Sequence, residues 1–262
     1  MLNRETLTVL IAGLDRREEM PVGRADALVL ARVDVVHATA SLVSLPRDLL
    51  VHLPTGRTCK LAEVYFHGAR LRRPHEPRVG LALLSRVVLD ELGVAVDHSV
   101  CVDFGGFARL VDGLGGLEVD VPSLIHVEDV EDKAEGCHFE PGPQVMDGAQ
   151  ALRYARTRMA DGDTSRRRRH VQLAEAVLAG ARRRPLRALW ALARARRSVV
   201  STFGAGAVLA LAQAAARSRR GMVRTSVIGP PLIRDARTPA GKSVQVAEPE
   251  ELRRAVGRAL VV

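Results

Sequence analysis

Within its first fifty residues the chain sets three apolar runs, Thr8–Leu14, Ala27–Val33 and Thr39–Leu45. Runs this short, nearly continuous and rich in Val, Ile and Leu read as strands buried on both faces. Each carries an Arg and an Asp at one end. Gly13-Leu14-Asp15-Arg16-Arg17 follows the first as a polar loop. A second loop, Gly23-Arg24-Ala25-Asp26, leads into the next run, and Pro46-Arg47-Asp48 closes the third. Open α/β sheets take their ligands outside strand carboxyl ends. Capping or turn duty explains one Arg/Asp pair; three in so short a span predict a shared anion or metal site.

The rest alternates helix and strand. Lys60 opens a helical segment, LAEVYFHG, and Arg78–Leu92 is an amphipathic helix closed by Gly93. Asp97–Phe104 reads as a strand, Gly105–Leu114 as a helix, and Gly115-Gly116 as a turn into the strand Leu117–Val121. Ser123–His138 is acidic and reads as an exposed loop, and Pro141–Asp147 as a turn-rich lead into a helix at Gly148–Thr157. Helices are predicted at Thr164–Arg184, Pro185–Val199 and Gly206–Arg217, with Trp190 in the core and Gly204–Ala216 buried. Val223–Ile228 is a strand and Glu248–Val261 a terminal helix. Neither repeat nor linker interrupts this order. It predicts one α/β domain over 1–262, with a motif-bearing core at about 8–180 and the elements of 185–262 packed on it.

A second concentration of charge falls at Tyr154–His170, YARTRMADGDTSRRRRH. Arg156 and Arg158 precede a turn built on Asp161, Gly162 and Asp163; Arg166 and Arg169 follow it. Asp163 or Thr164 is suited to start the next helix. Guanidinium groups on both sides of one turn can converge on phosphate oxygens, helped by the helix N-terminus. A solvated basic face is the plainer explanation of the same residues.

The net charge of +9 points to an anionic partner. Lys occurs only at positions 60, 133 and 242, so the positive charge is almost all Arg, in keeping with an overall compositional bias. Nucleic acid is disfavoured, because the chain has no helix-turn-helix signal and only eight aromatic residues for stacking. Cys59, Cys101 and Cys137 give no disulfide framework and no paired metal knuckle; Cys101 reads as core, and Cys137-His138 is a weak metal signal. No run is long enough to span a bilayer. The chain is expected to be soluble: an ectodomain at the extracytoplasmic face of a bacterial membrane if an anchor was removed, otherwise cytoplasmic.

These residues resemble the LytR-CpsA-Psr family of bacterial envelope proteins in six motifs, in order, from about Thr8 to Gly180. The family's Gly-x-Asp-x-Arg is matched by Gly13, Asp15 and Arg17, its Arg-Ser-Asp by Arg24-Ala25-Asp26, and its Ser-x-Pro-Arg-Asp by Ser44-Leu45-Pro46-Arg47-Asp48. Its valine-aspartate-glycine stretch is similar to Leu110–Pro122. Its Leu-x-Gly-x-x-Ala-Leu-x-Tyr-x-Arg-x-Arg is similar to Met146–Arg158, and its Asp-x-x-Arg-x-x-Arg-Gln to Asp163, Arg166, Arg169 and His170. Ala62 and His170 stand where the family has Asn and Gln.

The resemblance implies a three-layer α/β/α sandwich around a mixed central sheet, with a hydrophobic cavity for a polyprenyl chain. It implies transfer of a glycopolymer phosphate from a polyprenyl diphosphate carrier to peptidoglycan or a related acceptor, at a membrane surface. By position, Asp15 and Asp26 would hold Mg²⁺ (or Mn²⁺). Arg24, Arg47, Arg156 and Arg158 would grip phosphates, supported by Asp163 and Arg166, with Arg17, Lys60 and Arg169 in lesser roles. Breaking a diphosphate needs its charge neutralised, which a divalent ion and convergent guanidinium groups do. Asp48 or Asp163 is the candidate base. Two other readings stand beside this one: a soluble pyrophosphatase or transferase for a shorter isoprenoid diphosphate, and a non-catalytic anion or nucleic-acid binder.

Overall fold

The computed structural model describes residues 5–17, 20–71, 75–127, 137–157, 163–195, 197–218 and 222–262. The first three strands, β1 (Thr6–Arg17), β2 (Met20–Asp34) and β3 (Thr39–Ser44), form an antiparallel meander. It is followed by the hairpin β4 (Leu50–His52)–β5 (Thr58–Lys60), then α1 (Leu61–Ala69) and α2 (Pro77–Leu92). Next come β6 (His98–Asp103), α3 (Phe104–Leu114), β7 (Leu117–Val121), β8 (Ile125–Val127), β9 (Cys137–Phe139) and β10 (Gly142–Met146). Helices α4 (Gly148–Arg156), α5 (Asp163–Arg183) and α6 (Pro185–Ala195) precede β11 (Val199–Ser201), α7 (Ala205–Arg217) and β12 (Val223–Val227). The chain closes with β13 (Arg234–Arg237), β14 (Ser243–Val246) and α8 (Pro249–Ala259).

The central sheet has the order β11-β6-β1-β2-β3-β12, with β6 parallel to β1 and β12 parallel to β3. Alternation along the strands sends Leu10, Leu28, Leu30 and Val43 to one face, where Leu61 and Val64 of α1, Leu81 and Leu84 of α2, and Val256 of α8 cover them. Val9, Val29, Ala31 and Leu42 point the other way, toward Val171 of α5 and Leu211 of α7. This is a three-layer α/β/α sandwich about a mixed sheet. A second core, with Val111, Leu117, Met146 and Tyr154, joins α3, β7, β10 and α4.

Helix ends follow local chemistry. The Asp103 carboxylate caps α3 by accepting from the Gly106 N–H at 2.7 Å, and Asp147 and Gln150 form a reciprocal cap on α4. Gly93 ends α2 in the left-handed region at φ 69°.

Several expectations are corrected. Gly13–Arg17 and Gly23–Asp26 are not loops; they continue β1 and β2, pairing Asp15 with Arg24 and Leu14 with Ala25. Leu14, Val22 and Ala25 of this hairpin still pack in the main core, and the polar residues between them break the apolar run. The register shifts between Gly13 and Leu14, leaving Asp26 as the extra residue of a bulge, a device that re-aims a side chain. The ends of the expected acidic loop form β8 and β9, which pair, while its acidic residues at 128–136 lie outside the described residues; the expected turn-rich lead is β10, paired with β7. Trp190 is exposed, not core, and α7 buries only Ala207 and Ala214. Cys101 is buried, as expected.

Candidate functional site

Antiparallel alternation places the carboxyl ends of β1 and β3 and the amino end of β2 at the same edge of the sheet. The carboxyl end of β6 joins them because β6 runs parallel to β1. Arg47 and Asp48 enter from the turn after β3, and Lys60 from the N-cap of α1. The Arg47 guanidinium lies 2.9 Å from Asp26 through Nη1 and 3.5 Å from Asp48 through Nε. Lys60 Nζ donates to the other Asp48 oxygen at 2.6 Å. Arg24, Asp26, Arg47, Asp48, Lys60, Ala62, Glu63 and Lys242 line a polar recess of about 140 Å³.

Burial pushes the Asp48 carboxyl up, but the Lys60 hydrogen bond and the charges of Arg47, Lys60 and Arg166 outweigh it and hold it below its ordinary value. The Arg166 contribution links the amino end of α5 to this recess. Arg166 and Arg167 both pair with Asp163, and Arg167 also donates to the carbonyl of Ile228, bolting α5 to the end of β12. Arg169 donates to the Thr157 carbonyl, tying α5 to the carboxyl end of α4. Arg166, Arg167 and Arg169 are all buried. Arg156 stacks on Phe104, 5.0 Å from the ring centre, at the carboxyl end of β6.

The proposed residues thus gather at one sheet end: Arg24, Asp26, Arg47, Asp48 and Lys60 around the recess, Asp163, Arg166 and Arg169 on α5, and Arg156 by Phe104. Asp15 is buried in β1 opposite Arg24. Arg17 pairs through its backbone with Met20, and Arg158 lies outside the described residues.

Three contributors escaped the sequence reading. Lys242, from the turn between β13 and β14, donates to both Glu63 oxygens at 2.8 and 2.7 Å. Glu63 also approaches Arg24 at 3.9 Å. A signal existed for Lys242, one of three lysines in an arginine-rich chain. For Glu63 it was the spacing from Lys60 that completes the cap of α1, where the Lys60 N–H donates to the Glu63 carboxylate at 3.2 Å. The third is Arg167, whose neighbours in RRRR hid its structural role.

Beside this edge, between the sheet and α5 and α7, lies an apolar cavity of about 720 Å³. Val9, Ile11, Val29, Ala31 and Leu42 form its floor, and Leu173, Val177 and Leu211 its roof. Ala155 and His170, chain neighbours of Arg156 and Arg169, also line it, so the cavity wall and the arginine cluster share helices α4 and α5. His170 Nε2 donates to the Ala155 carbonyl at 3.1 Å, and Nδ1 has no hydrogen-bond partner among the described residues. Burial and the neighbouring Arg166, Arg169 and Arg47 push the imidazole down to about 3, so it is neutral near pH 7.

Asp15 and Asp26 are carboxylates, the donor type Mg²⁺ prefers, on facing strands of one hairpin, and Asp26 also lies 2.9 Å from Arg47. Cys59, Glu63 and His67 also bring three ligand atoms within 4.8 Å of one another, but Lys242 already holds both Glu63 oxygens.

Fold and site together define an α/β/α domain with a polar recess lined by Arg, Lys, Asp and Glu at one sheet end and an adjoining apolar cavity. The chain belongs to the LytR_cpsA_psr family, whose model matches residues 2–250. It is 29% identical over 180 residues to the polyisoprenyl-teichoic acid–peptidoglycan teichoic acid transferase TagT of Bacillus subtilis, covering 67% of this chain and 52% of that one. It is 31% identical over 179 residues to TagU of Halalkalibacterium halodurans, covering 67% and 53%. The chain therefore spans about half the length of the curated relatives it matches. Among solved structures, B. subtilis TagV superposes with a TM-score of 0.74 at 23% identity, covering 99% of this chain and 98% of that one. TagT bound to LI-WTA gives 0.72 at 22%, covering 98% and 90%. Among the described residues, no helix is long and apolar enough to cross a membrane.

Proposed function

We propose that this chain is a phosphotransferase that takes a glycan phosphate from a polyprenyl diphosphate carrier and passes it to a hydroxyl of a wall polymer such as peptidoglycan. The observation that carries the reading is one cationic sheet end, with Arg24, Arg47, Lys60 and Lys242 around a polar recess, set beside an apolar cavity of about 720 Å³. A lipid diphosphate needs both. The relatives named as polyisoprenyl-teichoic acid transferases, and the TagT structures with bound wall teichoic acid precursors, support the same substrate class.

In this reading the isoprenoid tail fills the cavity and the diphosphate meets the arginines. The acceptor oxygen attacks the glycan-side phosphorus, and the bond to the departing polyprenyl phosphate breaks. Arg24, Arg47 and Arg156 neutralise the charge on the equatorial and leaving oxygens. Asp15 and Asp26 would hold Mg²⁺, which when bound adds charge neutralisation at the phosphates. Asp163 is gripped by Arg166 and Arg167, whereas Asp48 lines the recess. Asp48 is therefore the carboxylate placed to orient the hydroxyl and take its proton. Held below its ordinary pKa, it is a weak base and accepts that proton late.

A second reading, turnover of a shorter isoprenoid diphosphate, is favoured by the cavity volume, which falls among those of small-molecule pockets. Phosphate and diphosphate release from geranylgeranyl and longer polyprenyl diphosphates, with Mg²⁺ and with EDTA, tests both. Mg²⁺-dependent release that is lost in Asp26→Ala supports the site, and the preferred chain length separates the readings. Release indifferent to EDTA and to Asp26→Ala contradicts it.

A further inference from the structure

Helices α6 and α7 are amphipathic in the wrong sense for a protein that meets only water. In α6 the fully buried residues are Ala191 and Ala195; in α7 they are Ala207 and Ala214. In α6 the inward preference for small residues has a steric cause. A Cβ added at Gly113 of α3 would sit 2.5 Å from the Ala191 Cβ, so α6 lies too close to α3 for anything larger. The large apolar side chains are left outside: Leu186 is 81% exposed, Leu209 60% and Trp190 54%, with Leu189, Leu192 and Val208 also exposed. Isolated exposed leucines are ordinary, but a concentration on two successive helices marks an interaction surface.

Charge separates the possible partners. Residues 176–234 hold twelve arginines and no Asp or Glu, in a chain whose net charge is +9, so everything outside this segment is net negative. Arginine is spread over the whole chain, but the acidic residues that offset it elsewhere are absent from this segment. Arg187, Arg194 and Arg197 are exposed on or just after α6, and the Arg194 guanidinium stacks on Trp190 at 4.5 Å. Leu and Trp flanked by Arg is the composition of a helix lying in a lipid headgroup layer, apolar side chains among the acyl chains and guanidinium groups at the phosphates. Nucleic acid would use the cations but leave the leucines unpartnered.

Of these two helices α7 walls the cavity, with Leu211, Ala214 and Ala215, beside Leu178 and Arg182–Arg184 at the end of α5. We propose that the exposed sides of α6 and α7 dock on an anionic phospholipid bilayer, which sets the α7 wall of the cavity against the membrane from which an isoprenoid tail would enter. This deepens the lipid-donor reading and rests on it for its purpose, though not for the docking itself.

Trp190 is the only tryptophan of the chain, so its emission reports on this face alone. Vesicles of phosphatidylcholine with and without phosphatidylglycerol, free of any isoprenoid, should be titrated into the full chain, with co-sedimentation in parallel. The expected result is a blue shift and co-sedimentation with the anionic vesicles, little with neutral ones, and weakening as salt is raised. Leu189→Glu with Leu209→Glu should weaken vesicle binding by roughly tenfold or more, since buried charge is costly in the acyl region. The same double variant should release phosphate from a water-soluble short isoprenoid diphosphate as the parent chain does. No shift with anionic vesicles, or undiminished binding by the double variant, overturns the proposal. So does a duplex oligonucleotide that shifts Trp190 equally and displaces the vesicles. If vesicles bind as expected while no isoprenoid diphosphate is turned over, the donor reading falls and the docking face stands.

Discussion

The two faces of the central sheet come from the same strands yet are built for different ends. One presents Leu10, Leu28 and Leu30 to a layer of Leu61, Leu81 and Leu84, all essentially without solvent exposure. The other presents Val9, Val29 and Ala31, with Gly13 and Ala27 at the hairpin, and leaves a cavity of about 720 Å³ beneath α5 and α7. Interiors normally pack with few voids larger than a water molecule, so an open apolar space on one face is a specific feature of this fold. The difference teaches that stability and ligand capacity are divided by the period-two alternation of single strands, with most of the leucines on one side and mainly Val and Ala, joined by Ile11 and Leu42, on the other.

The comparison breaks most readily on the packed face. Leu84→Ala should destabilise the fold by about 2–5 kcal/mol, read as a fall in the unfolding midpoint in denaturant, because the neighbouring helices cannot fully collapse on the vacancy. Arg47→Ala, at the edge where the faces meet, should lower turnover by roughly 10²–10³-fold, since it removes a preorganised cation from the recess. On the open face, Ala31→Leu adds volume where there is room. It should shift stability by less than about 1 kcal/mol while weakening binding of long isoprenoid diphosphates. Equal destabilisation by Leu84→Ala and Ala31→Leu would show the faces to be alike.

The smallest expected effect concerns His170, on the open side. Its folded-state pKa of about 3 lies below that of an unfolded histidine. Between those values the unfolded chain binds the extra proton, so stability falls as pH drops through about 6.5 and continues falling toward 3. Chemical denaturation at pH 7 and pH 5 should show this loss, and His170→Gln should shrink it. Asp48 and Glu63, both held low despite their burial, contribute in the opposite charge sense and lose their share only in more acid solution, below the usual carboxylate range. The two windows are therefore separable.

What the sequence disclosed follows from the same alternation. Apolar runs located β1, β2, β3 and β12, and caps and glycines located α2, α3 and α4, because these signals are local. The hairpin carrying Asp15, Arg24 and Asp26 reads as loops, since Gly, Arg and Asp interrupt the few apolar positions, Leu14, Val22 and Ala25, that it buries. β10 is hidden in Gly-Pro-Gln by a half-exposed edge position, and β11 is three residues long. Trp190 misleads for a steric reason: the close approach of α6 to Gly113 turns its large residues outward. Lys242 reaches the recess from far along the chain, through a hairpin whose strands, RDAR and SVQV, are short and largely polar.

The central claim is that one molecule is held at two places, its diphosphate at the arginine edge and its tail in the cavity. Equilibrium binding of a polyprenyl diphosphate and of the corresponding polyprenol, to the parent chain and to Arg47→Ala, tests this most directly. The account predicts that the parent prefers the diphosphate by about two orders of magnitude, since charge-assisted contacts to phosphate are strong. It predicts that Arg47→Ala removes most of that preference while leaving polyprenol binding intact. A preference that survives Arg47→Ala undiminished, or polyprenol binding that disappears with it, would contradict the division between the two places.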